Sequence, residues 1–133
     1  MPLVSWNDKF SVEVPSIDQQ HQKLFAMMNE LYDAMSQGKG KQLAPEILDR
    51  LVDYTREHFA AEEAMMKRAN YPDFAAHQAE HEKLKAEVAK MLKDSSSAAL
   101  SMPLLSFMRD WLQSHIVSRD KCYTASMRTA GIR

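Results

Sequence analysis

Imidazole and carboxylate side chains recur at helical spacing in the middle of the chain. His58 and Glu62 are four residues apart, and so are His77 and His81. Residues four apart on an α-helix lie on one face, so each pair could bind one metal ion or share a pair of ions. Between the pairs, the sequence Asn-Tyr-Pro-Asp at 70–73 predicts a turn, because proline disfavours helical backbone in the residue before it. The spacing therefore predicts a metal site on two consecutive antiparallel helices.

Four stretches of the chain carry apolar residues at three- and four-residue steps, as amphipathic helices do. We predict helices over residues 17–37, 42–68, 73–93 and 101–123, with Ser16 as the first N-cap, a serine loop at 95–97 and Pro103 in the first turn of the fourth helix. Four helices of about 20 residues joined by short loops favour an up-down-up-down bundle. The predicted fold is therefore all-α, with a four-helix bundle over 17–123 in a single domain over 1–133.

The two ends of the chain lie outside the predicted bundle. We expect an extended N-terminal arm over 1–16, because Phe10, Val12 and Val14 alternate with other residues in the manner of a strand. The last ten residues, 124–133, are expected to form a short surface tail.

Bundle topology restricts where His21 and His115, the two histidines outside the spaced pairs, must lie if they share the site. Successive helices run in opposite directions, so one site must use residues early in the first and third helices and late in the second and fourth. His21 is early in the first predicted helix and His115 is late in the fourth. At 1.5 Å per residue, all five histidines then lie within roughly 6 to 17 Å of the same end of the bundle. We therefore predict one shared metal site.

Two further carboxylates lie close to these ligands in sequence. The spacing from His58 favours Glu62 as the inward residue, so we expect Glu63 to be solvated or to support a ligand. Asp120 follows His115 by five residues, which turns it about 140° away from the histidine on a regular helix. It can join the site only through a π-bulge or a loosened last turn.

Imidazole and carboxylate ligands suit iron, zinc, copper or manganese. Seven protein ligands are too many for one tetrahedral zinc, whereas they fit two ions bridged by two carboxylates. A competing pattern is H-x-x-E-H at 77–81, the inverted zinc-protease motif with Glu80 as base, but it leaves His21, His58 and His115 unexplained. A ferritin-type site needs repeated Glu-x-x-His pairs and attached haem needs C-x-x-C-H, and the sequence contains neither.

The composition excludes several classes of partner. Basic and acidic residues number 17 and 18, giving a net charge of −1, and no block of one sign suggests a nucleic-acid or anionic membrane partner. No apolar run approaches the roughly 18 residues of a membrane span. The start of the chain lacks a basic segment followed by an apolar run, and the single Cys122 cannot form an internal disulfide. We expect a cytoplasmic monomer.

Four short motifs give the chain a specific resemblance. They are IDQQH at 17–21, HFAAEE at 58–63, HQAEH at 77–81 and HIVSRD at 115–120, accompanied by Trp6 in the arm and YPDF at 71–74. In these motifs the chain resembles the hemerythrin family, and within it the single-domain bacteriohemerythrins. The resemblance covers nearly all 133 residues and includes every ligand of the family's five-histidine, two-carboxylate pattern.

This resemblance implies a non-haem di-iron site. It assigns His77, His81 and His115 to one iron, assigns His21 and His58 to the other, and makes Glu62 and Asp120 bridges between the irons together with an oxo or hydroxo group. The implied function is reversible dioxygen binding, in an oxygen carrier, store or sensor that is not an enzyme. The alternative is a di-iron redox enzyme, such as an oxidase, a peroxidase or a nitric-oxide reductase.

The resemblance and the helical phase together imply a dioxygen pocket. The residues expected to line it are Leu24, Phe25, Phe59, Trp111, Leu112 and Ile116. Their apolar side chains should exclude water and acids from the irons. Dioxygen is the expected partner, and the sequence indicates no protein that would accept it.

Overall fold

The structure is a computed structural model, which describes the backbone of residues 3–38, 40–94 and 97–133 and the side chains of 3–38, 46–91 and 102–133. Its helices are α1 (Pro15–Ser36), α2 (Gly40–Arg68), α3 (Phe74–Asp94), α4 (Ser97–Ser118) and α5 (Thr124–Thr129), with 3₁₀ helices at Asp8–Phe10 and Asp120–Tyr123. α1 and α3 each pack against α2 and α4, and the described residues contain no strand. The predicted all-α four-helix bundle is confirmed.

α1 begins two residues earlier than the sequence predicted. Its N-cap is Val14 and Pro15 lies in its first turn, so Ser16 is not the cap. A proline at the start of a helix has no N–H that needs an acceptor, and its fixed φ suits the first turn. The Ser16 hydroxyl is buried and has no hydrogen-bond partner among the described residues. The predicted serine cap is therefore wrong.

The N-terminal arm is fixed to the bundle by contacts with α1. Asp18 in α1 accepts a hydrogen bond of 2.9 Å from the backbone N–H of Val12. Phe10, Val12 and Val14 are all buried. An uninterrupted extended arm is nevertheless wrong, because Asp8–Phe10 form one turn of 3₁₀ helix.

α4 differs from its prediction at both ends. It begins at Ser97, so Pro103 lies inside the helix rather than in its first turn. Residues 95 and 96 of the predicted serine loop lie outside the described residues. The helix ends at Ser118, five residues before the predicted end at Tyr123. This early end determines where the Asp120 carboxylate points.

The last ten residues are not a surface tail. They contain α5, which buries Met127 completely, and Ile132 after it is also buried. The Thr124 hydroxyl donates a hydrogen bond of 2.8 Å to the backbone carbonyl of Val12, so this segment contacts the N-terminal arm. Two buried apolar residues are too few to give a periodic signal in the sequence.

Apolar side chains fill the half of the bundle away from the histidines. Leu31, Leu51, Leu104 and Leu105 have no exposed surface, and burial of each contributes about 1.5–3 kcal/mol. Among the helices that the structure describes, none is both long enough and apolar enough to cross a membrane. The core thus supports a polar cluster at one end of the bundle.

Candidate metal centre

Seven buried polar side chains meet at one end of the bundle. They are His21, His58, Glu62, His77, His81, His115 and Asp120, and each has at most 3% of its surface exposed. Each of the four long helices supplies at least one of them, and Asp120 comes from the 3₁₀ helix that follows α4. The structure therefore brings together all seven residues that the sequence predicted as ligands.

The early end of α4 is what turns Asp120 inward. The helix stops at Ser118, and Arg119 leads with φ −116° and ψ −51° into the 3₁₀ helix that begins at Asp120. Asp120 Oδ1 consequently lies 3.0 Å from His115 Nε2. Of the two devices that the sequence left open, the loosened last turn is the one observed.

Five of the seven side chains form a larger ligand group. Glu62, His77, His81, His115 and Asp120 each offer one ligand atom, and these atoms all lie within 4.8 Å of one another. His115 Nε2 lies 3.1 Å from His77 Nε2 and 3.2 Å from His81 Nε2. Three imidazole nitrogens therefore face the same small volume.

A smaller ligand group lies beside the larger one. His21, His58 and Glu62 offer ligand atoms within 4.8 Å of one another. The Nε2 atoms of His21 and His58 are 3.0 Å apart, and Asp120 Oδ2 lies 3.2 Å from His21 Nε2. Two imidazoles and two carboxylates therefore surround this second volume.

Glu62 and Asp120 each divide their two oxygens between the groups. Glu62 Oε1 lies 3.0 Å from His77 Nε2, while its Oε2 lies 3.4 Å from His58 Nε2. Asp120 Oδ1 lies 3.0 Å from His77 Nε2, while its Oδ2 faces His21. Both carboxylates thus stand between the two groups, an arrangement that suits two neighbouring cations sharing both residues.

Acceptors behind the imidazoles determine which ring nitrogen can bind a metal. His58 Nδ1 donates to Gln20 Oε1 at 2.6 Å, and His81 Nδ1 donates to Glu63 Oε2 at 2.8 Å. A proton held on Nδ1 leaves the lone pair on Nε2, which is the atom that faces the cluster. Of the two alternatives left open for Glu63, the contact with His81 favours support of an imidazole over a solvated side chain, whereas the contact of Gln20 was missed.

Glu80 supports a third imidazole of the cluster, which the sequence also did not reveal. Its Oε1 accepts a hydrogen bond of 3.0 Å from His115 Nδ1, and its Oε2 pairs with Arg119. In the protease interpretation Glu80 would be the general base beside a metal bound by His77 and His81 of its own helix. Its carboxylate instead faces a histidine of α4, so that interpretation is wrong.

The cluster contains lone pairs and charges that the surrounding protein does not satisfy. Both Asp120 oxygens are buried without a hydrogen-bond partner among the described residues, and so are the Nδ1 atoms of His21 and His77. Lone pairs that face one another at about 3 Å repel unless a proton or a cation lies between them, and unpaired buried charges are costly. This donor set therefore fits metal cations.

The charges of the cluster perturb its titration strongly. Burial disfavours the charged form of His21 and His77, but the carboxylates of Asp120 and Glu62 outweigh it and raise both pKa values to about 9. Burial prevails at His58 and lowers its pKa. Burial alone would raise the pKa of Glu62, yet His58 and its neighbours hold it well below its usual range. The carboxylates therefore stay ionised, and cations compete with protons for the imidazoles.

Tyr123 holds one of the shared carboxylates in place. Its hydroxyl donates a hydrogen bond of 3.0 Å to Glu62 Oε2, and its ring stacks on His77 with centroids 5.7 Å apart. Burial and the Glu62 charge raise the pKa of Tyr123 well above its usual value, so the phenol stays a donor. The sequence placed Tyr123 three residues after Asp120, which was the available signal that it could lie near the cluster. The direction of its side chain depends on the 3₁₀ helix.

Two aromatic rings cover ligand imidazoles from the bundle interior. Phe59 stacks on His81 at 3.8 Å with nearly parallel planes, 4° apart. Trp111 stacks on His115 at 4.3 Å with an interplanar angle of 14°. These contacts restrict rotation of the two imidazoles and so help to keep Nε2 directed at the cluster.

An apolar cavity adjoins these rings. It is lined by Leu24, Met28, Thr55, Phe59, Leu84, Met108, Trp111 and Leu112, which include four of the six predicted pocket residues. The lining of this cavity does not include the other two, Phe25 and Ile116, which stay predictions; the Phe25 ring packs on Phe10 of the arm with centroids 5.3 Å apart. The missed residues Met28 and Met108 are each one turn from a predicted one, so helical phase could have found them.

Fold and cluster together define a four-helix bundle protein with a buried imidazole and carboxylate metal site. The family model for the hemerythrin HHE cation binding domain matches residues 13–123. The bacteriohemerythrin of Methylococcus capsulatus is 38% identical over 126 residues, which cover 92% of this chain and 95% of that protein. The bacteriohemerythrin of Stenotrophomonas maltophilia is 34% identical over 129 residues, 96% of this chain and 84% of that protein. A crystal structure of wild-type hemerythrin aligns with a TM-score of 0.81 at 35% identity, covering 94% of this chain and 98% of that one. The chain belongs to the hemerythrin family.

Proposed function

We propose that this protein binds dioxygen reversibly at a pair of iron ions, as an oxygen carrier, store or sensor. The observation that carries the proposal is the division of Glu62 and Asp120 between two histidine groups, which suits two cations better than one. Similarity to bacteriohemerythrins supports iron as the metal. When bound, an iron pair supplies the electrons that hold dioxygen and recovers them when dioxygen leaves.

The two histidine groups would hold the two irons unequally. We assign His77, His81 and His115 to one iron and His21 and His58 to the other. Glu62 and Asp120 would be shared, with an oxo or hydroxo group as a third bridge. The smaller group has one protein donor fewer, so we place the open position for dioxygen there.

The apolar cavity adjoins the cluster on the side of the bundle interior. Its Phe59 ring stacks on His81 at 3.8 Å and lies 5.8 Å from the His58 ring, so the cavity lining borders both ligand groups. An apolar lining admits an uncharged gas and disfavours water and acids. The lining would therefore protect bound irons from permanent oxidation by dioxygen.

The cavity lining favours binding over turnover. The hydroxyl of Thr55 is already used, because it donates a hydrogen bond of 2.7 Å to the backbone carbonyl of Leu51 in its own helix. The other lining residues are Leu, Met, Phe and Trp, so none supplies an acid or a base for a multistep reduction. We therefore propose an oxygen-binding protein rather than an oxidase, a peroxidase or a nitric-oxide reductase.

The cellular setting proposed from the sequence is a cytoplasmic monomer whose partner is dioxygen. The exposed free thiol of Cys122 agrees with a reducing compartment. Light scattering of the purified protein measures the oligomeric state directly, and a mass twice that of the chain would refute the monomer.

Cycles of oxygenation test the proposed function. After anaerobic loading with ferrous iron, we expect a visible band that appears in air and disappears on degassing through repeated cycles. Glu82→Gln changes an exposed acid of α3 and should cycle like the parent protein, whereas Glu62→Ala should retain no iron. A first exposure that leaves an oxidised state which degassing cannot reverse, with continued dioxygen consumption when reductant is added, would favour the enzyme alternative.

A further inference from the structure

The two ligand groups differ in what lies behind their imidazoles. In the larger group, His81 Nδ1 donates to the Glu63 carboxylate at 2.8 Å and His115 Nδ1 donates to the Glu80 carboxylate at 3.0 Å. In the smaller group, the corresponding acceptor of His58 is the neutral amide oxygen of Gln20 at 2.6 Å. Two anions therefore support one group, and a neutral amide supports the other.

This difference changes the strength of the ligands. A carboxylate that accepts the Nδ1 proton makes the opposite nitrogen more basic, and its charge also attracts the metal cation. A neutral amide fixes the ring orientation and adds no charge. Because His81 and His115 have anionic acceptors while His58 has an amide, Nε2 donors of the larger group should bind a divalent cation more strongly.

The surroundings of the two anions preserve this difference. The Glu63 side chain is 13% exposed, and its other oxygen accepts a hydrogen bond of 3.0 Å from the neutral amide of Gln78. Glu80 is 29% exposed and pairs with Arg119, which partly offsets its charge. Glu63 is thus the anion whose effect on the cluster is least compensated.

The number of donors acts in the same direction. The larger group offers three imidazoles and both shared carboxylates, whereas the smaller group offers two imidazoles and the same carboxylates. Once one cation is bound, Glu62 and Asp120 are partly neutralised, and a second cation nearby is repelled. Repulsion alone would separate two binding steps, but it would not decide which group is filled first.

We propose that metal ions load in a fixed order: the first binds at His77, His81 and His115, and the second binds more weakly at His21 and His58. The inference rests on the ligand set of the proposed function, but it does not require iron or dioxygen. It assigns Gln20, Glu63 and Glu80 as positioning residues that set this order. It also means that the protein has a stable one-metal form, from which a mixed-metal pair can be prepared.

Titration of metal-free protein with Co²⁺ under anaerobic conditions tests the order. Visible absorption and calorimetry should resolve two steps, with the first at least about tenfold tighter. Glu63→Gln should weaken binding at the larger group by about 10- to 100-fold, so the two steps should move together while the total of two cations bound per chain stays unchanged. Gln20→Glu should strengthen binding in the second step and so reduce the difference in Co²⁺ affinity between the two steps. Glu82→Gln, which makes the same charge change on the exposed side of α3, should alter neither step.

Ligand deletions identify which group is filled first. His21→Ala should abolish the second step and retain a tight one-to-one complex with the spectrum of the parent's first step. The proposed order would be overturned if His21→Ala lost the tight step. It would also be overturned if the parent protein bound Co²⁺ in two equal steps that Gln20→Glu did not change. Neither result would contradict the ligand set. A parent protein that binds no Co²⁺ at all would refute the ligand set and therefore the proposed function as well.

Discussion

Replacing Tyr123 by phenylalanine removes one buried hydroxyl and leaves the rest of the ring in place. The ring is fully buried and stacks on His77, so its packing should persist. The lost group is the donor of the 3.0 Å hydrogen bond to Glu62 Oε2. Without it, a fully buried carboxylate loses a fixed partner on the side of the smaller ligand group.

The size of the effect follows from the burial of both partners. Leaving a buried polar group without its partner costs about 1–3 kcal/mol, and no solvent screens this pair. A loss of 1 kcal/mol lowers the Tm of a chain of this size by about 3–5 °C. We therefore expect the Tm of metal-free Tyr123→Phe to fall by about 6–10 °C for a mid-range loss. Bound cations neutralise the Glu62 charge, so the loss in metal-loaded protein should be less than half as large.

Thermal unfolding followed by circular dichroism at pH 7 measures both forms. The matched control is Tyr71→Phe, because the Tyr71 ring meets Tyr123 edge-on at 6.3 Å while its hydroxyl has no hydrogen bond in the described part of the chain. The control should change the Tm by less than about 2 °C, in line with a loss below about 0.5 kcal/mol when a partly buried ring keeps its packing and loses only a hydroxyl without a partner. Equal losses in the two variants, or an equal loss with and without metal, would refute the assigned role of the Tyr123 hydroxyl.

Four other perturbations have defined outcomes. Metal loading at pH 7 should release about two protons per chain, because pKa values of about 9 leave His21 and His77 protonated in metal-free protein; a pH-stat measures this, and release of less than one proton would contradict it. Those raised pKa values stabilise metal-free protein fully below pH 6.5, so its Tm should fall as the pH rises from 6.5 through 9. Leu112→Asn should shorten severalfold the time for which oxygenated protein keeps its visible band, because a polar group admits water to the cavity, whereas the volume-conserving Leu112→Met should not. Met127→Ala should cost about 2–5 kcal/mol in urea unfolding, while Met102→Ala, at a residue 40% exposed, should cost less than about 0.5 kcal/mol; similar losses would show that α5 does not contribute to the core.

The convergence of the ligands could be predicted because it depends only on helix direction and period. His21 and His115 were placed with the two spaced pairs from their distance along each predicted helix, and the structure confirms that placement. Asp120 could be predicted only conditionally. Its direction depends on how α4 ends, and the sequence does not say whether a helix ends by a bulge or by unwinding.

The residues behind the ligands could not be found from the sequence. Gln20, Glu80 and Tyr123 contact residues on other helices, and such contacts depend on the rotation and separation of two helices. The periodicity of one helix gives no information on the rotation or the separation of two helices. The contact of Phe25 with Phe10 could not be found for a related reason, because it depends on how the N-terminal arm packs against α1.

Anomalous diffraction from crystals of iron-loaded protein, recorded on either side of the iron absorption edge, tests the central claim most directly. We expect two iron peaks inside the cluster, one contacted by the Nε2 atoms of His77, His81 and His115 and the other by those of His21 and His58, with Glu62 and Asp120 contacting both. A single peak, or a second peak outside these seven side chains, would contradict a shared two-metal centre.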